Sequence, residues 1–225
     1  RPFTVIYVPI GVPTFHLESA QKLFEASIKL IKSIEPEAIV PEKMLLSIQD
    51  LTNFIDHKVA DLVILQNITF ANSAYSTEVF KHLKAPVLLW TLREPVIDGG
   101  RLRLNSLTGA FSAGYAYHQL VKDPLQYMFG GPSEEHVIEH LTKVIKVARI
   151  KYDMSSMSLL VVGQTPQGFG FGRALDLDMM QAFSVNLLTI ESRELMDLAK
   201  SMDIADAKQE EKLANARMVG LDQTP

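Results

Sequence analysis

The sequence predicts an α/β protein of two consecutive Rossmann-like domains with parallel sheets, residues 1–153 and 154–225, the second incomplete. Three observations predict it. Short β-rich apolar runs alternate with longer segments of helical period, the pattern of a parallel sheet covered by helices. The alternation lapses at the polar stretch Asp153-Met154-Ser155-Ser156 and then restarts, which marks a boundary. Beyond it, roughly 75 residues hold only two strand-like runs, a small sheet for a whole domain, and Met218 to Pro225 carries no stop signal.

Phe3 to Val8 reads as the first strand. Leu17 to Ile34 follows as a helix with Leu23, Ile28, Leu30, Ile31 and Ile34 available for its inner face, and Pro36 stops it. Ala38 to Val40 is a short strand, Lys43 to His57 a helix, and Asp61 to Leu65 a fully apolar strand of the kind buried on both faces. Ser73 to Leu83 supplies a helix, Pro86 to Trp90 a strand, and Gly109 to Val121 a helix rich in small residues and Tyr. Between the last two lies a long irregular stretch, Thr91 to Thr108, and loops of that length in compact domains are often functional. Ser133 to Tyr152 is a helix with Ser133 at its N-cap and Glu134 and Glu135 in its first turn, where they favour the positive end of the dipole. In the second domain Ser158 to Val162 and Asn186 to Ile190 are strands, separated by a glycine-rich turn and a helix and followed by more helix.

Composition excludes several classes of function. The 225 residues are 47% hydrophobic, enough for a sizeable core. A net charge of −4, from 22 basic and 26 acidic residues without a basic run, gives no footprint for a phosphate backbone, so nucleic acid is not the expected partner. There is no cysteine, which removes disulfides, thiolate metal sites and a cysteine nucleophile and leaves His, Asp or Glu for any metal. Apolar stretches fall well short of the roughly 20 residues that span a bilayer. Arg1-Pro2-Phe3 runs into a strand rather than a signal peptide, and the expectation is a soluble cytoplasmic protein with no membrane partner.

Four constellations could carry chemistry. Gly163-Gln164-Thr165-Pro166-Gln167-Gly168-Phe169-Gly170-Phe171-Gly172 lies between a strand and a helix, a natural anion site. Its spacing is not that of a dinucleotide fingerprint, no P-loop lysine follows, and Pro166 removes a donor. Either a structural turn or a sugar-facing one, with Gln164, Thr165 and Phe169 as the contacts, fits better. His136-Val137-Ile138-Glu139-His140 matches a zinc-protease pattern on paper, yet the apolar face of its helix turns His136 and Glu139 toward water. Trp90-Thr91-Leu92-Arg93-Glu94-Pro95 sits at the carboxyl end of a strand, where open α/β sheets hold ligands. An indole suits the apolar face of a sugar ring, and Arg93 and Glu94 can bind hydroxyls; the duller reading is a local Arg93–Glu94 pair closing a loop. Finally, Asn105 and Ser106 could present an amide and a hydroxyl to the same cleft, with Thr108 as a helix N-cap and Arg101 and Arg103 serving a subunit contact. Of the isolated histidines, His16, just past the first strand, is the one to test.

Two blocks, Trp90 to Tyr117 and Leu159 to Ala199, resemble the L-fucose and L-arabinose isomerase superfamily. In the second, the strand, the glycine-containing turn, the acidic helix around Asp176 and Asp178 and the run I-E-S-R-E-L-M-D-L-A come in that family's order. The resemblance implies the N-terminal part of a sugar isomerase, an intramolecular oxidoreductase of carbohydrate metabolism. In such enzymes a divalent metal, usually Mn2+, holds neighbouring oxygens of the open-chain sugar while carboxylates move a proton between C1 and C2 through an enediol. It also implies a homo-oligomer, trimer or hexamer, and metal ligands lying beyond Pro225, so no metal-binding or catalytic residue is carried over to this chain. The first domain would then close the sugar cleft through Trp90, Arg93, Glu94 and Asn105. The rival expectation is a two-lobed sugar-binding or sugar-sensing protein with no chemistry of its own.

Overall fold

The computed structural model describes residues 1–121 and 123–217; the stretch Met218 to Pro225, expected to lack a stop signal, lies outside the described residues. The chain divides into two compact units, Arg1–Asp153 and Met154–Pro225. In the first, Val5–Ile10 (β1), Leu62–Asn67 (β2), Val87–Thr91 (β3) and Gln126–Phe129 (β4) form one parallel sheet in that order. Every residue of β1, β2 and β3 is buried, which is why these strands read as continuous apolar runs rather than alternating ones.

Helices cover both faces. Leu17–Ile34 (α1) and Glu135–Ser155 (α5) bury Phe24, Ile31, Val137, Leu141 and Ile145 against one face. Ile48–Ile55 (α2), Ser73–His82 (α3) and Ser106–Leu120 (α4) bury Leu51, Ile55, Val79, Phe80, Ala113 and Tyr117 against the other. Each fully buried aliphatic side chain contributes about 1.5–3 kcal/mol.

The segment 38–46 differs from its expectation. Instead of a strand followed by a helix from Lys43, it runs beside β1 through single bridges at Ile39 and Leu45. Tyr7 N donates to Ile39 O at 2.9 Å and Leu45 N to Pro9 O at 3.0 Å. With that backbone committed to β1, α2 starts only at Ile48, capped by Ser47, whose Oγ accepts the Asp50 amide at 3.0 Å. The spatial order is therefore 38–46, β1, β2, β3, β4. Leaving β1 the chain first steps to one side and then to the other, which makes the carboxyl ends of β1 and β2 the switch point where such sheets leave a crevice.

Two further elements depart from the sequence reading. β4 was not expected: it is four residues long, with Gln126 and Tyr127 exposed at the sheet edge. Helix α5 begins at Glu135, so Ser133 is not its cap; the Glu134 carbonyl accepts the Ile138 amide at 3.1 Å.

The second unit holds a two-stranded parallel sheet, Ser158–Val162 (β5) and Asn186–Ile190 (β6), with helices Asp176–Phe183 (α6), Ser192–Ser201 (α7) and Ile204–Arg217 (α8). Both strands fall where the sequence predicts them, but all five residues of β5 are exposed although four of them are apolar. No described helix is long and apolar enough to cross a membrane.

Candidate functional site

At the carboxyl edge of the first sheet, three loops converge: 11–16 after β1, 68–72 after β2 and 92–105 after β3. The first two are sewn together by Thr69. Its Oγ1 accepts the Val12 amide at 2.8 Å and donates to the Val12 carbonyl at 3.1 Å. A side chain at Gly11 would collide with that hydroxyl, so the close approach of the loops depends on this glycine. The third loop is laid across both: His16 N donates to Arg103 O at 2.9 Å, and Phe70 N to Leu104 O at 2.8 Å.

Glu94 holds the third loop in shape. Its carboxylate accepts the backbone amides of Arg103, of Leu104 at 2.9 Å and of Asn105 at 3.0 Å. Three amides turned onto one carboxylate fold the loop back on itself and leave its tip, Pro95 to Gly100, exposed. The fold-back ends at Asn105, which takes the left-handed conformation (φ 53°, ψ 35°) that asparagine tolerates better than most residues. Its Oδ1 accepts the Thr108 hydroxyl at 2.7 Å. Thr108 thus sits in the first turn of α4 rather than at its cap. Ser106 Oγ accepts the Leu92 amide at 2.9 Å and donates to the Asn67 carbonyl, locking the start of α4 to the tips of β2 and β3.

Arg93 does not pair with its neighbour. Its Nε and Nη2 donate to the two carboxylate oxygens of Glu134, at 3.0 and 2.7 Å, and the guanidinium lies 4.8 Å from the Phe129 ring centre. That guanidinium, with the Gly131 amide, holds the Glu134 carboxyl down at about 2. The local Arg93–Glu94 pair entertained from sequence is replaced by two separate anchors.

Trp90 corrects an expectation. It is fully buried in the core on the α1/α5 side of the sheet, and its indole N–H donates to Gly130 O at 2.9 Å. No indole face is open for a sugar, because Trp90 shares with Leu88 the sheet face that α1 and α5 cover. The aromatic surface at the strand tips comes from elsewhere. Phe15 and Phe70 pack with ring centres 6.3 Å apart across the β1–β2 switch point, and the Arg101 guanidinium lies 5.0 Å over Phe15. His16 caps α1, its Nδ1 accepting the Ser19 amide at 3.3 Å. Arg103 reaches Asp98 at 3.5 Å, whereas Arg101 has no carboxylate partner among the described residues. No local spacing in the sequence pairs Phe15 with Phe70, because the switch point between β1 and β2 depends on the bridges that place 38–46 outside β1.

Just beneath this surface, the Asn67 side-chain amide and the Thr91 hydroxyl are buried with no hydrogen-bond partner among the described residues. They are register partners at the last positions of β2 and β3.

In the second unit Gln164, Thr165 and Phe169 are exposed in the turn after β5, and Phe169 contacts Phe171 with ring centres 5.8 Å apart. Gly163 leaves the strand with φ 79°, and a side chain there would meet Ser192 Oγ at 2.5 Å, so the turn packs tightly on the start of α7.

Among the described residues no three His, Asp or Glu side chains gather as a metal site requires. His136 and Glu139 are exposed, as the helical period predicts, and His136 Nε2 bonds the Phe129 carbonyl at 2.9 Å. The described residues of this chain therefore do not fit a metal.

No protein-family model matches the chain. Over 223 residues, 99% of the chain, it is 49% identical to a sulfoquinovose isomerase of Clostridium sp. (strain MSTE9). It is 33% identical over 224 residues to sulfoquinovose isomerases of Priestia aryabhattai and Priestia megaterium (strain ATCC 12872 / QMB1551). These alignments take in 50% and 49% of the relatives, so the chain spans about half the length of the curated relatives it matches. An azoreductase structure from Bacillus anthracis str. Sterne aligns over 65% of this chain and 99% of its own, with 14% identity and a TM-score of 0.31, too slight a likeness to bear on fold or activity.

Proposed function

We propose that this chain is the N-terminal part of a metal-dependent aldose–ketose isomerase of carbohydrate metabolism, acting on a sulfonated aldose of the sulfoquinovose kind. The observation that carries the reading is the 49% identity to a sulfoquinovose isomerase over nearly the whole chain. It favours an isomerase over the rival, a sugar binder without chemistry.

In this proposal the further half of the polypeptide supplies the metal, Mn2+ by the resemblance, and the carboxylates that take the proton from C2 and return it to C1. It also supplies the elements that cover the apolar β5–β6 sheet. The first unit contributes the strand-tip face, whose tasks are to position the sugar and exclude water. A sulfonate is an anion at every physiological pH and asks for a cation. Arg101, held over Phe15 and without a carboxylate partner among the described residues, is the group offered to it. Asn105 presents a side-chain amide to sugar hydroxyls, while Glu94 and Arg93 act as loop anchors. Gln164, Thr165 and Phe169 keep their assignment as sugar contacts in the second unit.

The test is to incubate the full-length protein with sulfoquinovose and follow the aldose C1 proton by NMR, before and after chelation and after readdition of Mn2+. Ketose should form, cease with chelation and return with the metal. A metal-replete, folded protein that leaves the aldose unchanged overturns the reading.

A further inference from the structure

Helix α4 is built unlike an outer helix. Its fifteen residues include no Asp, Glu, Lys or Arg, whereas the outer face of α1 carries Glu18, Lys22, Glu25 and Lys29. The inner face of α4, with Gly109, Ala113, Ala116 and Tyr117, is buried against the sheet. Its outer face carries an apolar row too: Leu107, Phe111 and Tyr115 stand at i, i+4, i+8, with Phe111 73% and Tyr115 68% exposed, beside the uncharged polar Thr108, Ser112 and Gln119. A helix with large apolar side chains on its outer face as well as its inner one belongs where both faces are covered.

The glycines of α4 make a second, independent observation. A side chain at Gly109 would fall 2.6 Å from Asn67 Nδ2, so that glycine is required by the chain's own packing. At Gly114 the nearest atom would be Leu125 Cδ2, at 3.9 Å, an ordinary contact. Among the described residues nothing calls for a glycine at that point, where it weakens the helix relative to alanine. Gly114 lies beside the Phe111–Tyr115 row, on the lining of a groove of about 430 Å³ that Tyr127 and His118 also border. The gap it leaves lets another backbone come close.

We propose that the outer face of α4 is the contact surface for a second copy of this chain, the two α4 helices packing about a two-fold axis that passes by Gly114. The ridge of Leu107, Phe111 and Tyr115 runs alongside the shallow row of Ala110, Gly114 and His118. A ridge and a groove of the same spacing on one helix are complementary to each other in a two-fold pair, the geometry of ridges-into-grooves packing. With no Asp, Glu, Lys or Arg on the helix, the pairing brings no permanent like charges together. With aromatic side chains of about 150–250 Å² each, the exposed row and Tyr127 offer on the order of 500 Å². That is most of the roughly 800 Å² per partner of a standard interface before any rim is added.

The test is made on the full-length protein. Gly114→Cys, whose side chain has open space, is treated with a short bismaleimide and run on a denaturing gel, with the parent protein as the blank. A covalent dimer should form with Gly114→Cys and not with the parent. In sedimentation velocity, Phe111→Glu/Tyr115→Glu should have a lower mass than the parent while keeping its circular dichroism. Two results overturn the proposal: a Gly114→Cys thiol that stays monomeric and freely reactive, or one that is shielded from maleimide in a monomer, which would mean that the protein's own further residues cover α4. A double variant with the parent's mass and fold overturns it as well.

Discussion

Arg93 and Glu134 are joined by two parallel hydrogen bonds, 3.0 and 2.7 Å long, that tie the beginning of the β3–α4 loop to the beginning of α5. Because Glu134 also receives the Gly131 amide, the pair fixes the turn after β4. Its carboxyl titrates well below the ordinary 4.5, at about 2. A carboxyl depressed in the folded state adds stability that is present above its unfolded pKa and lost as pH falls through the folded one. Glu134→Gln should therefore have a lower urea midpoint than the parent at pH 7, with the difference closing between about pH 4.5 and pH 2. The pair is partly open to solvent, so the effect is modest. Equal midpoints at pH 7 would remove the pair from the stability of this turn.

Glu94 governs the long loop by accepting three backbone amides. In Glu94→Ala the loop should open more often, and trypsin should cut after Arg101 or Arg103 about tenfold faster, equivalent to roughly 1.4 kcal/mol of local stability. Cleavage at the parent's rate would show that the loop holds its shape without the carboxylate.

Trp90 is the only tryptophan of the chain and lies in the core. Trp90→Phe keeps most of the packing but leaves the Gly130 carbonyl without its donor, which should cost about 1–3 kcal/mol in urea unfolding. Affinity for sugar should stay within about twofold of the parent, since no ring face is exposed. A large loss of affinity with unchanged stability would return Trp90 to the binding surface.

Gly109→Ala pushes a methyl group against the Asn67 amide and should destabilise the fold by about 1–3 kcal/mol. Gly114→Ala, measured in dilute protein, should be neutral or stabilising by up to about 1 kcal/mol. Thermal unfolding of the two variants side by side checks the contrast.

Much of the fold was legible because five strands are short apolar runs and α1 has a clean helical period. β4 was not, being only four residues long and half exposed. The path of 38–46 was hidden because its pairing with β1 rests on isolated bridges, which leave no period in the sequence. At the carboxyl edge of the sheet, the long loop after β3 was legible but the contacts of its side chains were not. Glu94 and Asn105 do stand at the strand tips, yet the partner of Arg93 is Glu134, 41 residues away, and no local spacing announces such a pair. The burial of Trp90 was readable in principle, since it stands inside a strand of the kind covered on both faces. Its residue type outweighed its position.

The proposed function places a sulfonated sugar on the strand-tip face through Arg101. Its most direct test is steady-state kinetics of full-length Arg101→Ala on sulfoquinovose, with the conservative Arg101→Lys beside it. KM should rise by about tenfold or more with kcat within about threefold, and Lys should restore part of the loss. A KM equal to the parent's in a folded, active Arg101→Ala protein would contradict the account.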